Sequence, residues 1–273
     1  MMKPPVFFVS RLSLFAGLFI FLWTCSAGSC LAATTPAAGE SPASSLPLIV
    51  IDPGHPSEVS SGDELQNGVR EVDTNWLVAL LLKNFLEISG RCRVAMTLEE
   101  KGHLVTNRAR AEFANHLGAA CMLRLHCDTG SGHGFAFYYP DHSGTNAGKT
   151  GPSPAVIAES AIAARAIHDG TAKSLSASLR DNGIKTDRQT AVGGKYGALI
   201  GSIWSEVPVV TIEMVFLSNA SDARFVSLPE GRKAIAAALA KGIEQYLDTR
   251  QKGVSPTCST TIRLPVDTGN GTR

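Results

Sequence analysis

Charge is scarce in this chain of 273 residues: 18% of positions are charged, with 25 Lys and Arg against 24 Asp and Glu. A formal charge of +1 offers no basic face, so nucleic-acid binding is not expected. No C-x-x-C pair occurs among the six cysteines, which argues against a thiolate zinc site. There is no internal repeat. There is also no G-x-x-x-x-G-K-[ST] phosphate loop, because the run Gly193 to Gly197 lacks that spacing. Serine and cysteine nucleophiles have no recognisable elbow around them. Acidic residues are missing from the first 33 positions, which carry Lys3 and Arg11. What remains holds 23 basic and 24 acidic residues and is nearly neutral. A hydrophobic fraction of 44% excludes wholesale disorder, and the length suffices for a sizeable core.

The opening residues predict an address. After the two positive charges comes the apolar run Leu12 to Trp23, then the small residues Thr24 to Ala33. This order is that of a secretory signal peptide over 1–33. An uncleaved anchor is the alternative if the apolar runs on both sides of Ser10 and Arg11 join. Ala27-Gly28-Ser29-Cys30 also loosely resembles a lipoprotein box, with Ala where such a box prefers Leu. The expectation is export to the periplasm or cell envelope, with membrane contact only through this segment. Cys92, Cys121, Cys127 and Cys258 remain beyond it, too few to build a disulfide scaffold.

Residues 34–46, rich in Ala, Pro, Ser and Thr, read as a linker. Beyond them, Leu46 to Ile51 has the apolar, β-branched character of a buried strand. A helix is predicted over Asp73 to Ile88, with Leu77, Leu80, Leu81, Phe85 and Ile88 as its apolar stripe and Gly90 as its stop. Strands are predicted at Arg91 to Thr97, Ala120 to His126, Gly134 to Tyr139 and Val207 to Met214. Helices are predicted at Thr106 to Leu117, capped by Thr106, at Ala155 to Arg180 and at Pro229 to Leu247. Pro140 to Pro154 reads as a polar loop, and 250–273 as a flexible tail. Alternating strands and helices predict an α/β fold, a single domain over 47–249 with a mostly parallel sheet covered by helices on both faces.

Ligands of open α/β sheets gather at the carboxyl ends of the strands. The first buried strand ends in Asp52-Pro53-Gly54-His55, the third in His126-Cys127-Asp128, and the late one in Glu213-Met214. Two histidines and a carboxylate at one sheet edge make a donor set suited to catalytic zinc with a position left for water. His133 and His142, flanking the fourth strand, read as solvated loop residues. His103, His116 and His168 read as surface residues.

In this order the chain resembles the type 3 zinc-dependent N-acetylmuramoyl-L-alanine amidases. The matching pieces are Ile49-Val50-Ile51-Asp52-Pro53-Gly54-His55, Glu71 ahead of Asn75, Asn107-Arg108 to Asn115, Leu125-His126-Cys127-Asp128, and Glu213-Met214-Val215-Phe216-Leu217-Ser218-Asn219. The resemblance implies a mixed sheet between helices. It implies His55, Glu71 and His126 as ligands of Zn2+, Glu213 as the catalytic carboxylate, and peptidoglycan as substrate. The scissile bond would be the amide between N-acetylmuramic acid and L-alanine; no motif identifies an activator protein. Two departures stand out: Pro56-Ser57-Glu58 follows the first histidine where the family usually has Gly-Gly, and Cys127 replaces the usual Ala.

Two other readings stay open in the sequence. His55, Glu58 and His126 form an H-x-x-E…H set like that of zinc carboxypeptidases, which also need an arginine for the terminal carboxylate; Arg108, Arg110 and Arg124 are present. A non-catalytic wall-binding or regulatory module would keep the fold without turnover.

Overall fold

The run at 48–51 is wholly apolar and has no polar face to give to water, and in the computed structural model, which describes residues 46–254, every residue of β1 (Leu48–Pro53) is buried. A short hairpin, β2 (Leu65–Gln66) and β3 (Val69–Arg70), leads into α1 (Glu71–Ser89). Next come β4 (Arg93–Met96), α2 (Asn107–His116), β5 (Cys121–Asp128) and β6 (Phe135–Tyr139). A second hairpin, β7 (Gly144–Asn146) and β8 (Lys149–Gly151), precedes α3 (Pro154–Leu175) and β9 (Asp181–Thr186). The chain closes with α4 (Ala191–Tyr196), α5 (Ile200–Trp204), β10 (Val209–Phe216), α6 (Ala220–Ser227) and α7 (Pro229–Val254).

The main sheet runs β4-β1-β5-β10-β6-β9. The first four strands are parallel; β6 is antiparallel to β10, and β9 runs parallel to β6. The sheet is therefore mixed and mostly parallel, a single-domain α/β fold as expected.

Side chains alternate across the sheet. On one face Ile49, Ile51, Leu123, Leu125, Val210 and Ile212 pack against α1, α3 and α7 in a large apolar core. The other face carries a smaller cluster, in which Leu48, Val50, Met122 and Val209 meet Ala111 and Ala114 of α2 and Trp204 of α5. That cluster stops halfway up the strands. Above it the same face turns polar.

Several elements differ from the sequence reading. The buried stripe of α1 is Val78, Ala79, Leu82 and Leu86, while Leu77, Leu80 and Ile88 are exposed. From Trp76 to Leu82 the helix is apolar on every side, so periodicity alone does not choose the face. The segment read as a polar loop contains the β7–β8 hairpin, turned through Ala147 and Gly148 at positive φ. α7 runs past Leu247 to Val254, and the tail beyond it lies outside the described residues, as do the leader, the linker and Cys258. Cys92, Cys121 and Cys127 are free and buried, and burial pushes the Cys92 thiol up to about 11 and Cys121 to about 12.

Candidate active site

His55 leaves the end of β1 with φ at 64°, a left-handed conformation. Gly54 before it passes so close to His126 that a Cβ there would lie 2.3 Å from the ring. The glycine of the D-P-G-H run is thus fixed by the approach of the two imidazoles, whose ring centroids are 5.1 Å apart. His55 Nδ1 meets the Ser60 carbonyl at 2.9 Å, which leaves Nε2 facing Glu71 at 3.3 Å.

Glu71 is the first residue of α1, and it reaches over the sheet edge. Its Oε1 lies 3.1 Å from His126 Nδ1 and accepts hydrogen bonds from the Cys127 N–H at 3.1 Å and Asn75 Nδ2 at 3.3 Å. Asn75 also donates to the Gly54 carbonyl, so one side chain ties the ligand loop to the helix. His55, Glu71 and His126 present donor atoms all within 4.8 Å of one another, a group able to hold a metal ion. Burial acts against the charged form of each, but the two imidazoles beside Glu71 hold its carboxyl well below the usual range. For His55 the burial is outweighed by the Glu71 carboxylate and its pKa rises; for His126 burial wins and it falls.

Glu213 stands on β10 in register with His126. Burial, and then the charges of Glu71 and Asp128, push its carboxyl well above the ordinary range, and its Oε2 has no hydrogen-bond partner. His55, His126 and Glu213 line one cavity of about 210 Å³, walled by Val192 and Ile200 and reaching inward to Arg124.

Glu58 is elsewhere. It is exposed, and its Oε2 accepts the Asn107 N–H at 2.8 Å at the start of α2, so the His55–Glu58–His126 set does not assemble. Of the arginines weighed for that reading, Arg108 pairs with Glu112 on the surface and lies over Trp204. His103, His116, His133 and His142 are exposed as expected. His168 is not a surface residue: it packs edge-on against Phe137 and pairs with Asp181 at 3.0 Å.

The sequence marks Asp52 only as part of the strand-end D-P-G-H run and assigns it no role, yet it is the residue that builds the site. Asp52 is fully buried, accepting from Arg110 Nη1 at 2.6 Å and from Arg124 Nε at 2.8 Å. Despite burial, the two guanidiniums hold its carboxyl well below the usual range. Arg110 in turn donates to the carbonyls of Pro53 and Pro56, on both sides of His55. A carboxylate at the end of an apolar strand is the available signal, since a buried charge requires partners. Asn107 accepts from Arg124, and Asn115 bonds Trp204 and Glu206, so both helix asparagines act structurally. In the last motif, Ser218 bonds Gly130 and Asn219 caps α6.

A sheet of this order with His, Glu and His gathered at its carboxyl edge defines a class, and the comparisons agree with it. Residues 49–245 match the family model described as N-acetylmuramoyl-L-alanine amidase, and the chain belongs to that family. An N-acetylmuramoyl-L-alanine amidase of Mycobacterium tuberculosis, Rv3717, is 28% identical over 251 residues, covering 82% of this chain and 97% of the relative. The solved amidase Ami1 of Mycobacterium smegmatis superposes with a TM-score of 0.61 at 22% identity, over 74% of this chain and 97% of that one. Its apo counterpart from Mycobacterium abscessus gives 0.59 at 25% identity, over 74% and 98%. The fold is theirs. The enzyme is an amidase acting on peptidoglycan.

Proposed function

We propose that the chain hydrolyses the amide between N-acetylmuramic acid and L-alanine, using Zn2+ held by His55, Glu71 and His126, with Glu213 as the proton-transfer group. The supporting observation is the convergence of those three donors within 4.8 Å, with His55 and His126 lining a cavity that Glu213 also lines. Two imidazoles and one carboxylate suit zinc and leave room for a further ligand. Bound there, zinc supplies Lewis acidity toward an amide carbonyl and acidifies water.

The chain's own groups have distinct tasks. The Ser60 carbonyl fixes the His55 ring through Nδ1, and Asn75 holds the Glu71 carboxylate in place, as outer partners of metal ligands do. Glu213 Oε2, buried and unpartnered, is free to take a proton from water and pass it to the leaving nitrogen. Its raised pKa suits that return transfer. Export through residues 1–33 belongs to the same proposal, placing the enzyme where peptidoglycan is.

The test is digestion of purified peptidoglycan by the zinc-loaded full chain, with mass spectrometry of the products. Stem peptides beginning at L-alanine are expected from wild type. Glu213→Gln should retain zinc and lose about 10²–10⁴-fold in rate, while Glu71→Ala should lose zinc. A zinc-loaded wild type that releases no peptide sinks the proposal and favours a wall-binding module.

A further inference from the structure

Among the described residues, Thr211 Oγ1 and Glu213 Oε2 are buried without a hydrogen-bond partner, and Asp187 Oδ1 and Ser202 Oγ, which lie beside each other, have none beyond that pair. Such orphans are rare in folded proteins and mark places where a water or ligand belongs. These four gather around one side chain. Thr211 is in register with Arg124 on the neighbouring strand and lies two residues before Glu213 on the same face. Gly201, beside Ser202, packs so closely on Arg124 that a Cβ there would come 2.5 Å from Nη1. Asp187 lies within reach of the Arg124 charge.

One guanidinium donor is left over at this spot. Arg110 spends its donors on Asp52 and the carbonyls of Pro53, Pro56 and Val105. Asp52 pairs with both guanidiniums, and the buried carboxyls of Asp187 and Glu213 also lie within reach of the Arg124 charge. Arg124 gives Nε to Asp52 and Nη2 to Asn107, and among the described residues Nη1 has no partner. Arg124 and Thr211 both line the cavity that opens onto His55, His126 and Glu213. A spare guanidinium donor beside an unpartnered hydroxyl is a carboxylate receptor.

We propose that Arg124 and Thr211 form a carboxylate subsite at the inner end of the active-site cavity, which takes the free α-carboxylate of the second residue of the stem peptide. The identity of that ligand rests on the amidase reading. Spacing supports it: Arg124 and His126 are two residues apart on one strand face, about 6.7 Å. A peptide that begins L-alanyl-γ-D-glutamyl carries its free α-carboxylate two residues beyond the scissile amide, a reach of about 7 Å. The substrate carboxylate meets the unused Arg124 donor and the Thr211 hydroxyl, and Glu213 stays free for proton transfer.

The experiment pairs binding with cleavage. L-Alanyl-D-glutamic acid with its γ-carboxyl capped as the methylamide, and the α-amide of the same capped dipeptide, are titrated calorimetrically into the zinc-loaded full chain, and the corresponding N-acetylmuramoyl dipeptides are assayed for hydrolysis. Wild type should favour the free carboxylate at least tenfold in both readouts. Arg124→Lys and Thr211→Val should pull that ratio toward one; Thr211→Val leaves the Asp52 pairs intact, so a folding failure at Arg124 does not decide the matter. A purely structural Arg124 would not separate acid from amide. Cleavage without discrimination overturns the subsite and leaves the amidase reading standing. Discriminating binding without cleavage keeps the subsite and sinks the amidase reading. Equal binding and no cleavage overturns both.

Discussion

The two faces of the sheet are made from the same strands and serve opposite ends. Ile49, Ile51, Leu123 and Ile212 point to a face sealed by three helices. Their neighbours Val50, Asp52, Arg124, Thr211 and Glu213 point to a face whose apolar cover, α2 and α5, reaches only the lower half of the strands. On the sealed face, stability comes from area removed from water and is indifferent to pH. Above that cover the open face is polar, and order comes from pairing: Asp52 with two arginines, Asn107 with Arg124, Glu71 with two histidines. A binding site is obtained where the apolar cover ends and the strands continue. The difference is that a truncation on one face costs stability alone, whereas removing a partner on the other also costs the site.

Asp52→Ala breaks the comparison hardest. It leaves two guanidiniums buried without their anion, and losing one partner of a buried pair costs about 3–5 kcal/mol. Because Arg110 also grips the carbonyls around His55, zinc affinity should fall with stability. Urea unfolding and zinc titration on one preparation check this; a loss below about 1 kcal/mol would mean that the network is decorative.

Leu82→Ala is the matching cut on the sealed face. Leu82 is fully buried on α1, and such truncations cost about 2–5 kcal/mol. Stability should drop while zinc stoichiometry and the ratio of acid to amide cleavage remain those of wild type. A changed ratio would show that the faces are coupled through the sheet.

Asp187 sharpens the comparison through pH. Burial pushes its carboxyl up to about 6, against an ordinary 3.8. The folded state thus holds its proton more tightly than the unfolded chain does. This contribution is fully present below pH 3.8 and is lost as pH rises through 6. Asp187→Asn should therefore gain stability relative to wild type from pH 4 to 7, on the order of 3 kcal/mol. Parallel unfolding midpoints for the two proteins across that range would show that Asp187 is neutralised in another way.

What the sequence reveals and what it hides follow this division. β1, β5 and β10 are legible because buried parallel strands read as apolar runs, and the residues that end them fall at the site. β9, Asp181–Thr186, is not legible, since an edge strand of Asp, Asn, Gly and Lys has no apolar pattern. Glu71 emerges only through family resemblance. It opens a helix, where an acidic residue is ordinarily explained by the helix dipole. Asp52 and Arg124 are hidden for a different reason: their roles are set by cross-strand register, which a linear pattern does not state.

Glu58 separates the two kinds of acid near His55, and its effect is the smallest. Sequence spacing made it a rival to Glu71, but its carboxylate meets the first N–H of α2. A charge there interacts with the helix dipole and is worth about 0.3–1 kcal/mol, screened by salt. Glu58→Gln should therefore cost that much in urea unfolding at low ionic strength and less at high, with one zinc still bound per chain. Glu71→Gln, at the first position of α1, should do the reverse by weakening zinc while α1 stays formed. If Glu58→Gln instead releases zinc, the ligand set belongs to the H-x-x-E spacing after all, and the division between a helix-capping acid and a metal-binding acid collapses.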